Sequence, residues 1–147
     1  MKDQKKIMNT YSIDTLEQAQ KDGRAPWTEV FLDTKDYVVY EDIYPVTLGH
    51  TLIVPRKDTV ENIQKCFKFA QEMGNMNVEA DTNPITGYNI GINMGESAGQ
   101  TCMYPHVHLI FRRDGDMEDP RGGVRGVIPS KQKYERKNND QLEITFT

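Results

Sequence analysis

Closely spaced cysteines, long apolar runs and an excess of positive charge are all missing from this 147-residue sequence. Its two cysteines, Cys66 and Cys102, are too far apart in the chain to form the short-spaced pair typical of metal and redox motifs. We therefore expect two buried thiols in a reducing compartment, in preference to a disulfide. This expectation favours a cytoplasmic location.

No apolar run approaches the roughly 18 residues that a membrane-spanning helix needs, so no such helix is expected. The first residues, Met1–Lys6, are mostly polar, so no secretory signal is expected either. The formal net charge of −4 argues against a nucleic acid or an anionic membrane as the main partner. A small anionic ligand in a local positive cleft stays compatible with this charge.

Apolar residues are spaced as in a strand in some segments of the chain and as in a helix in others. Alternating or continuous short runs predict five strands and one late candidate: Trp27–Leu32, Tyr37–Glu41, His50–Val54, Tyr88–Asn93, Met103–Arg112 and Leu142–Phe146. Between the third and fourth strands, apolar residues recur every three or four positions, which predicts a long helix with Asp58 and Glu61 as its capping box. This helical pattern fades around Gly74–Asp81.

A shorter helix is predicted over Ile13–Ala19, ended by Asp22 and Gly23. The fold class is therefore α+β, with an antiparallel sheet of about five strands, one long helix and a short N-terminal helix. We divide the chain into a polar N-terminal extension (1–26), a main domain (27–130) and a C-terminal tail (131–147) that includes the late strand candidate.

Two of the three histidines, His106 and His108, lie two residues apart in an apolar run. Alternation along a strand would place Tyr104 and both histidines on one face, with Cα atoms about 6.5 Å apart. An imidazole is an effective nucleophile toward phosphorus when its other nitrogen is hydrogen-bonded. The spacing also fits a metal-binding pair, which would need further ligands such as His50, or two ordinary core histidines.

The loop before this strand is rich in glycine and in polar donors. Glycine allows its backbone N–H groups to approach an anionic oxygen closely. Hydroxyl and amide donors are added by Asn93, Ser97, Gln100 and Thr101. Alone, this is a generic turn; followed by the two histidines, it indicates a site that handles phosphate.

Together, Gly99-Gln100-Thr101 and Tyr104-Pro105-His106-Val107-His108-Leu109-Ile110 resemble the signature of the histidine triad (HIT) superfamily. That signature is His-φ-His-φ-His-φ-φ, where φ is apolar, after a Gly-Gln-Thr/Ser turn. Further matches at 40–45, 48–56 and 112–125 extend the resemblance over roughly residues 28–130. It implies a HIT-like fold, a homodimer, and hydrolysis or transfer at the α-phosphate of purine nucleoside phosphoramidates or dinucleoside polyphosphates.

The resemblance also implies roles for individual residues. His106 would be the nucleophile and carry a covalent nucleotidyl group, with His108, Tyr104 and Thr101 as the other catalytic positions. The nucleotide would contact Asp42 at the ribose, Ile43 at the base, His108, and, at the phosphates or leaving group, Asn93, Gly99, Gln100 and Thr101. His50 would have a supporting role.

Because a histidine supplies the nucleophile, the implied reaction needs no metal and no other cofactor. Some relatives hold a structural zinc with an N-terminal Cys-x-x-Cys pair and histidines, but this chain has no such pair. It departs from the signature at Tyr104, where the first histidine of the triad would stand. An alternative interpretation is therefore a nucleotide-binding HIT-like module with weak or no catalysis.

Four arginines lie at the end of the histidine strand and in the segment after it. Their simplest interpretation is a solvated segment with surface ion pairs; the alternative is that one or two reach the phosphates of a long substrate or a partner subunit. They are Arg112, Arg113, Arg121 and Arg125.

Overall fold

Five antiparallel strands form one sheet in the spatial order β1-β2-β3-β5-β4. The computed structural model describes residues 12–80 and 84–134. Its strands are β1 (Val30–Asp33), β2 (Tyr37–Glu41), β3 (Thr51–Pro55), β4 (Gly87–Ile92) and β5 (Val107–Arg112). Two α-helices, α1 (Leu16–Lys21) and α2 (Val60–Glu79), complete the predicted α+β class. The late strand candidate lies outside the described residues.

The strand ends differ from the predicted ones where side chains or proline interrupt the ladder. β2 has the predicted bounds, whereas β5 begins at Val107 and not at Met103. Pro105 has no N–H to donate to a neighbouring strand, so pairing begins beyond it. β1 begins at Val30 and not at Trp27, and its pairing with β2 is irregular between Val30 and Leu32.

Helix α2 is capped one residue later than predicted. The Thr59 side chain, not that of Asp58, accepts the backbone N–H of Asn62 at 3.1 Å. Thr59 has extended backbone angles, as N-cap residues do, and this places its hydroxyl over the first turn. The helix then continues without a break to Glu79, through the region where its pattern fades.

The two faces of the sheet carry two separate apolar clusters, because successive strand residues point to opposite sides. One cluster lies against α1: Leu16, Ala19, Ala25, Val38, Tyr40, Leu52, Val54 and Tyr104. The other lies against α2: Val39, Ile53, Cys66, Ala70, Ile85, Val107, Leu109 and Phe111. The N-terminal helix is thus part of the core.

The chain divides into two compact units, Met1–Asp116 and Met117–Thr147. The first contains the whole sheet and both α-helices. The second contains two short 3-10 helices, Gly123–Val127 and Pro129–Lys131. Across 12–80 and 84–134, no helix has the length and apolar character that crossing a bilayer requires.

Candidate active site

All three histidines come together on the α1 side of the sheet. His108 of β5 lies directly opposite Leu52 of β3, and residues opposite each other in an antiparallel pair share a face. His50 immediately precedes β3, and its ring centroid is 5.2 Å from that of His108. The His106 ring lies 5.0 Å from the His108 ring on the other side. His50 and His108, which are 58 positions apart in the chain, therefore form one row of imidazole rings with His106.

His106 is held in a defined tautomer by the backbone. Its Nδ1 lies 2.8 Å from the carbonyl oxygen of Tyr104, and because a carbonyl only accepts, Nδ1 carries the proton. The lone pair is then on Nε2. Burial lowers the pKa of His106, an effect that the Tyr104 carbonyl and Asp42 partly oppose, so the ring is neutral at pH 7. A neutral ring with a free Nε2 lone pair is a competent nucleophile.

The indole of Trp27 packs against this ring, with centroids 4.7 Å apart. It also lies 6.1 Å from the ring of Tyr40 in β2. Trp27 restricts the rotation of His106 by contact on one side. The sequence pattern predicts only that this tryptophan lies in a strand. The one sequence signal that could have marked it is that the chain has no other tryptophan.

His50 and His108 are joined by a hydrogen bond between Nε2 of His50 and Nδ1 of His108, 3.0 Å apart. On its other nitrogen, Nδ1, His50 accepts the backbone N–H of Val46 at 3.1 Å. Burial lowers the pKa of both rings; that of His108 falls to about 4, helped by its two histidine neighbours. Both rings are therefore neutral at pH 7.

One polar atom at the centre of this row has no partner. Among the residues that the structure describes, His108 Nε2 is the one buried side-chain nitrogen or oxygen that makes no hydrogen bond. Leaving such a group unsatisfied costs about 1–3 kcal/mol, so buried polar atoms are nearly always paired. An unpaired one beside the neutral ring of His106 offers a position where a ligand atom could make the missing hydrogen bond.

The side chain of Tyr104 points away from the histidines. Its hydroxyl donates to the carbonyl oxygen of Pro55 at 2.7 Å, and the residue is fully buried in the α1 cluster. Burial raises the pKa of this phenol, so it stays protonated. The contact of Tyr104 with the site is made by its backbone carbonyl, which accepts from His106.

Hydrogen bonds within the glycine-rich loop hold it in shape. Gly95 and Gly99 both have positive φ, the left-handed region that glycine enters without strain, and flank a 3-10 turn at Glu96–Ala98. The Gly99 N–H donates to Glu96, and the Gln100 side chain accepts from Gly95 N–H while donating to the Cys102 carbonyl. Gln100 and Gly99 thus shape the loop, and Thr101, which is exposed, lies at its end.

The remaining candidate residues surround the row of histidines at different distances. The Asp42 carboxylate accepts the Tyr44 N–H at 2.8 Å with one oxygen and lies 3.5 Å from His50 Nδ1 with the other. Ile43 is 62% exposed, beside Asp42 in the loop after β2. Asn93 directly follows β4 and is half-buried.

Asp42, His50 and His108 are also the described residues that could hold a metal ion, with ligand atoms within 4.8 Å of one another. No cysteine belongs to this group. Both cysteines are free thiols, as predicted, but only Cys66 is buried, in the α2 cluster; Cys102, also predicted to be buried, is only partly covered. The residues present therefore do not match a cysteine-based zinc site.

Arg112, the last residue of β5, and Arg121 form the surface ion pairs of the simpler interpretation, whereas Arg113 and Arg125 donate to backbone carbonyls. Arg112 makes two 2.8 Å hydrogen bonds to Asp116 and a third to Asn89. Arg113 donates to the Leu48 carbonyl, which ties the loop between β2 and β3 to the end of β5.

A family model described as the HIT domain matches residues 24–115 of this chain. An uncharacterised HIT-like protein of Mycobacterium tuberculosis is 32% identical over 101 residues, which cover 64% of this chain and 68% of that protein. The asymmetrical bis(5'-nucleosyl)-tetraphosphatase of Schizosaccharomyces pombe is 29% identical over 99 residues, covering 63% of this chain and 53% of that enzyme.

Solved structures show the same fold. A zinc-bound histidine triad family protein from Mycobacterium smegmatis superimposes with a TM-score of 0.55 at 26% identity, covering 88% of this chain and 86% of its own. A Bacillus anthracis HIT family protein matches with a TM-score of 0.55 at 21% identity, covering 92% of this chain and 95% of its own.

Proposed function

This chain belongs to the HIT domain family, and we propose that it hydrolyses or transfers nucleotides at the α-phosphate of purine nucleoside phosphoramidates or dinucleoside polyphosphates. HIT relatives include a nucleotide hydrolase, the tetraphosphatase of Schizosaccharomyces pombe, which supports the general class.

The observation that carries the proposal is the tautomer of His106. Its proton is on Nδ1, held by the Tyr104 carbonyl, so that Nε2 has a lone pair ready to attack phosphorus. The lowered pKa keeps that lone pair free of a proton at neutral pH. The unpaired nitrogen of His108 in the neighbouring ring supports an oxygen-rich ligand at the same place.

The reaction proceeds in two displacements. Nε2 of His106 attacks the α-phosphorus and forms an N–P bond, while the bond from phosphorus to the leaving group breaks and the leaving group takes the electron pair; an amine leaving group also takes a proton from solvent. Water then attacks the same phosphorus and releases a proton to solvent, the N–P bond breaks with its electron pair returning to Nε2, and the nucleoside monophosphate leaves. Polar groups around the phosphate stabilise the charge that shifts during each step.

Other residues surround the nucleotide in this proposal. Asp42 binds the ribose hydroxyls and Ile43 covers the base. Thr101 contacts the phosphate directly, and Asn93 contacts the phosphate or the leaving group. Gly99 and Gln100 hold the loop in shape, and Tyr104 occupies the first position of the triad. Its carbonyl orients His106 whichever side chain the residue has, so replacement of a histidine here preserves that contact.

We propose further that the protein is a cytoplasmic homodimer whose partner is a small nucleotide, with no role for nucleic acid or a membrane. Free thiols and the net charge of −4 support this setting. The exposed apolar side chains along α2 support self-association.

The proposal is tested with diadenosine tetraphosphate and an adenylated amine as substrates. His106→Ala and His106→Asn remove the nucleophilic nitrogen, so turnover should fall at least about 10³-fold in both. Mass spectrometry of rapidly quenched wild-type protein should find one adenylyl group on His106. Lys68→Ala, an exposed change on α2, is the control and should leave turnover unchanged.

Equal turnover by the wild type and His106→Ala would overturn the nucleophile assignment. AMP binding by the wild type without turnover of either substrate would favour the alternative, a nucleotide-binding module. Loss of turnover on adding a chelator would favour a metal-dependent reaction.

A further inference from the structure

His106 gains a positive charge in the first step of the proposed reaction. Before the attack its ring is neutral, with a proton on Nδ1 and a lone pair on Nε2. Nε2 gives this pair to phosphorus, and the leaving group departs with the electron pair of the bond that breaks. The Tyr104 carbonyl oxygen, 2.8 Å from Nδ1, accepts a hydrogen bond but is too weak a base to remove the proton. The ring that holds the nucleotidyl group is therefore an imidazolium cation.

This cation forms where water is largely excluded. His106 is only 7% exposed, and burial lowers the pKa of its ring because it disfavours the charged form. The Asp42 carboxylate opposes this effect through its charge. Its close contacts, however, are with the Tyr44 N–H at 2.8 Å and with His50 Nδ1 at 3.5 Å. A further group that attracts a cation, in contact with the His106 ring, would reduce the cost of the charge.

The indole of Trp27 is such a group. Its ring centroid lies 4.7 Å from that of His106, and the two ring planes are inclined by 51°. A cation within about 6 Å of an aromatic centroid is attracted by the negative face of the ring, and tryptophan attracts it more strongly than tyrosine or phenylalanine does. At this distance the indole stabilises the imidazolium form of His106 more than the neutral form.

The segment before β1 holds the indole in this position. Trp27 packs, partly buried, against the α1 cluster. Two residues earlier, Ala25 is buried, and its N–H donates to the Ala19 carbonyl of α1 at 3.2 Å. The Arg24 guanidinium donates to the Met103 carbonyl at 3.2 Å. This segment is therefore joined both to α1 and to the chain just before the histidine motif.

We propose that Trp27 stabilises the nucleotidyl-imidazolium form of His106 through a cation–π interaction. The inference rests on the proposed function, because at neutral pH the ring is charged only while it holds the nucleotidyl group. The attraction grows as the bond from Nε2 to phosphorus forms, so it accelerates the first displacement. It is lost when water attacks and the electron pair of that bond returns to Nε2, so it slows the second displacement. Trp27 thus favours the covalent intermediate.

The test changes the electrons of the indole and leaves its shape almost unaltered. Because the chain has one tryptophan, fluorinated tryptophan supplied to a tryptophan-requiring host changes position 27 alone. Each fluorine withdraws electron density from the ring face and weakens its attraction for a cation. Proteins with one, two and three ring fluorines are compared with the wild type. Rapid quenching and mass spectrometry measure the formation and the hydrolysis of adenylyl-His106 from diadenosine tetraphosphate.

The two steps should respond in opposite directions. We expect the formation of adenylyl-His106 to slow with each fluorine, by about 3- to 10-fold with three, and its hydrolysis to become about two- to fivefold faster. A role in packing alone cannot produce this split, because a displaced His106 ring would slow both steps. Formation that does not respond to fluorine would overturn the inference, and so would hydrolysis that slows or stays constant.

Two substitutions supply the controls. Trp27→Phe keeps a smaller aromatic face, so formation of adenylyl-His106 should slow less than in Trp27→Leu, which keeps an apolar side chain without one. Trp27→Phe also has no tryptophan, so its rates should be the same whichever tryptophan the host receives. Urea unfolding checks that each protein is folded.

The inference and the proposed function fail in different ways. Full turnover by His106→Ala would overturn the proposed function, and the charged intermediate with it. If wild-type protein forms adenylyl-His106 at a rate that fluorine does not change, the proposed function stands and the inference about Trp27 is wrong.

Discussion

At the scale of single residues, Tyr104 contacts the site with its backbone and the core with its side chain. A sequence signature describes the side chain alone. The sequence pattern places it beside two histidines in a catalytic row, yet its hydroxyl is bonded to the Pro55 carbonyl inside the α1 cluster. The atom that touches the site is its carbonyl oxygen, which any residue possesses. We therefore propose that this position contributes to His106 through the backbone and to stability through the side chain.

We predict that Tyr104→Phe loses stability and keeps activity. The change removes the hydrogen bond to Pro55 and leaves a buried carbonyl unsatisfied, so the free energy of unfolding should drop by about 1–2 kcal/mol in urea titrations. Turnover should stay within about threefold, since the Tyr104 carbonyl still orients His106. Tyr44→Phe, an exposed matched control, should change stability by less than about 0.5 kcal/mol. A large loss of turnover at unchanged stability would show that the hydroxyl takes part in the chemistry.

At the scale of elements, helix α2 packs closely against the sheet at Gly74. A methyl group added there would meet the ring of Tyr88 in β4 at 2.6–2.7 Å, well inside van der Waals contact. Sequence periodicity predicts the helix but treats this glycine as the start of its end, because glycine is a poor helix former. The structure shows a continuous helix in which glycine permits close packing.

We predict that Gly74→Ala destabilises the protein even though alanine favours helix. The gain in helix propensity is about 1 kcal/mol, and forcing the Tyr88 ring aside should cost about 1–3 kcal/mol, so the net change is expected to be unfavourable. Thermal or urea unfolding measures it. In a Tyr88→Leu background the same change should become neutral or stabilising, because the clash is gone. A stabilised Gly74→Ala single variant would show that the ring moves freely.

At the scale of the whole molecule, the sheet separates the site from the long helix. The histidines are on the α1 side, and α2 covers the opposite side with Ile63, Phe67 and neighbouring apolar residues packed against that cluster. Along α2, Phe69 and Met73 pack partly buried against the same cluster, whereas Met76, at the next helical spacing, is 62% exposed. This exposed methionine supports the proposed homodimer without involving the row of histidines.

We predict that Met76→Glu weakens the dimer. Wild-type protein should elute in chromatography with light scattering at about twice the 16.9 kDa chain mass, and the variant should shift toward the monomer, since a buried charge opposes association. Val60→Glu is the matched control: it is exposed on the same helix, about 160° around its axis from position 76. Equal masses for all three proteins would contradict α2 as the interface, and a monomeric wild type would contradict the dimer.

The sequence alone was sufficient to predict the fold class and the order of the strands and helices. These properties follow from local periodicity and from residue types at fixed spacing, which the chain displays directly. Helix caps and strand ends were predicted less well. Thr59 and Asp58 are both good N-cap residues, and only the backbone angles of the folded chain select Thr59.

Only the tertiary structure decided which groups of the site form hydrogen bonds with one another. The Val46 amide, the Tyr104 carbonyl and the Pro55 carbonyl have no side-chain signature, so no pattern in the sequence marks them. His50 and His108 are 58 positions apart, and only the pairing of β3 with β5 brings their nitrogens within 3.0 Å. A ring's tautomer depends on which backbone groups surround it in space. The sequence determined which histidines the chain offers, and the fold determined which groups surround each ring and so which nitrogen of His106 has the proton.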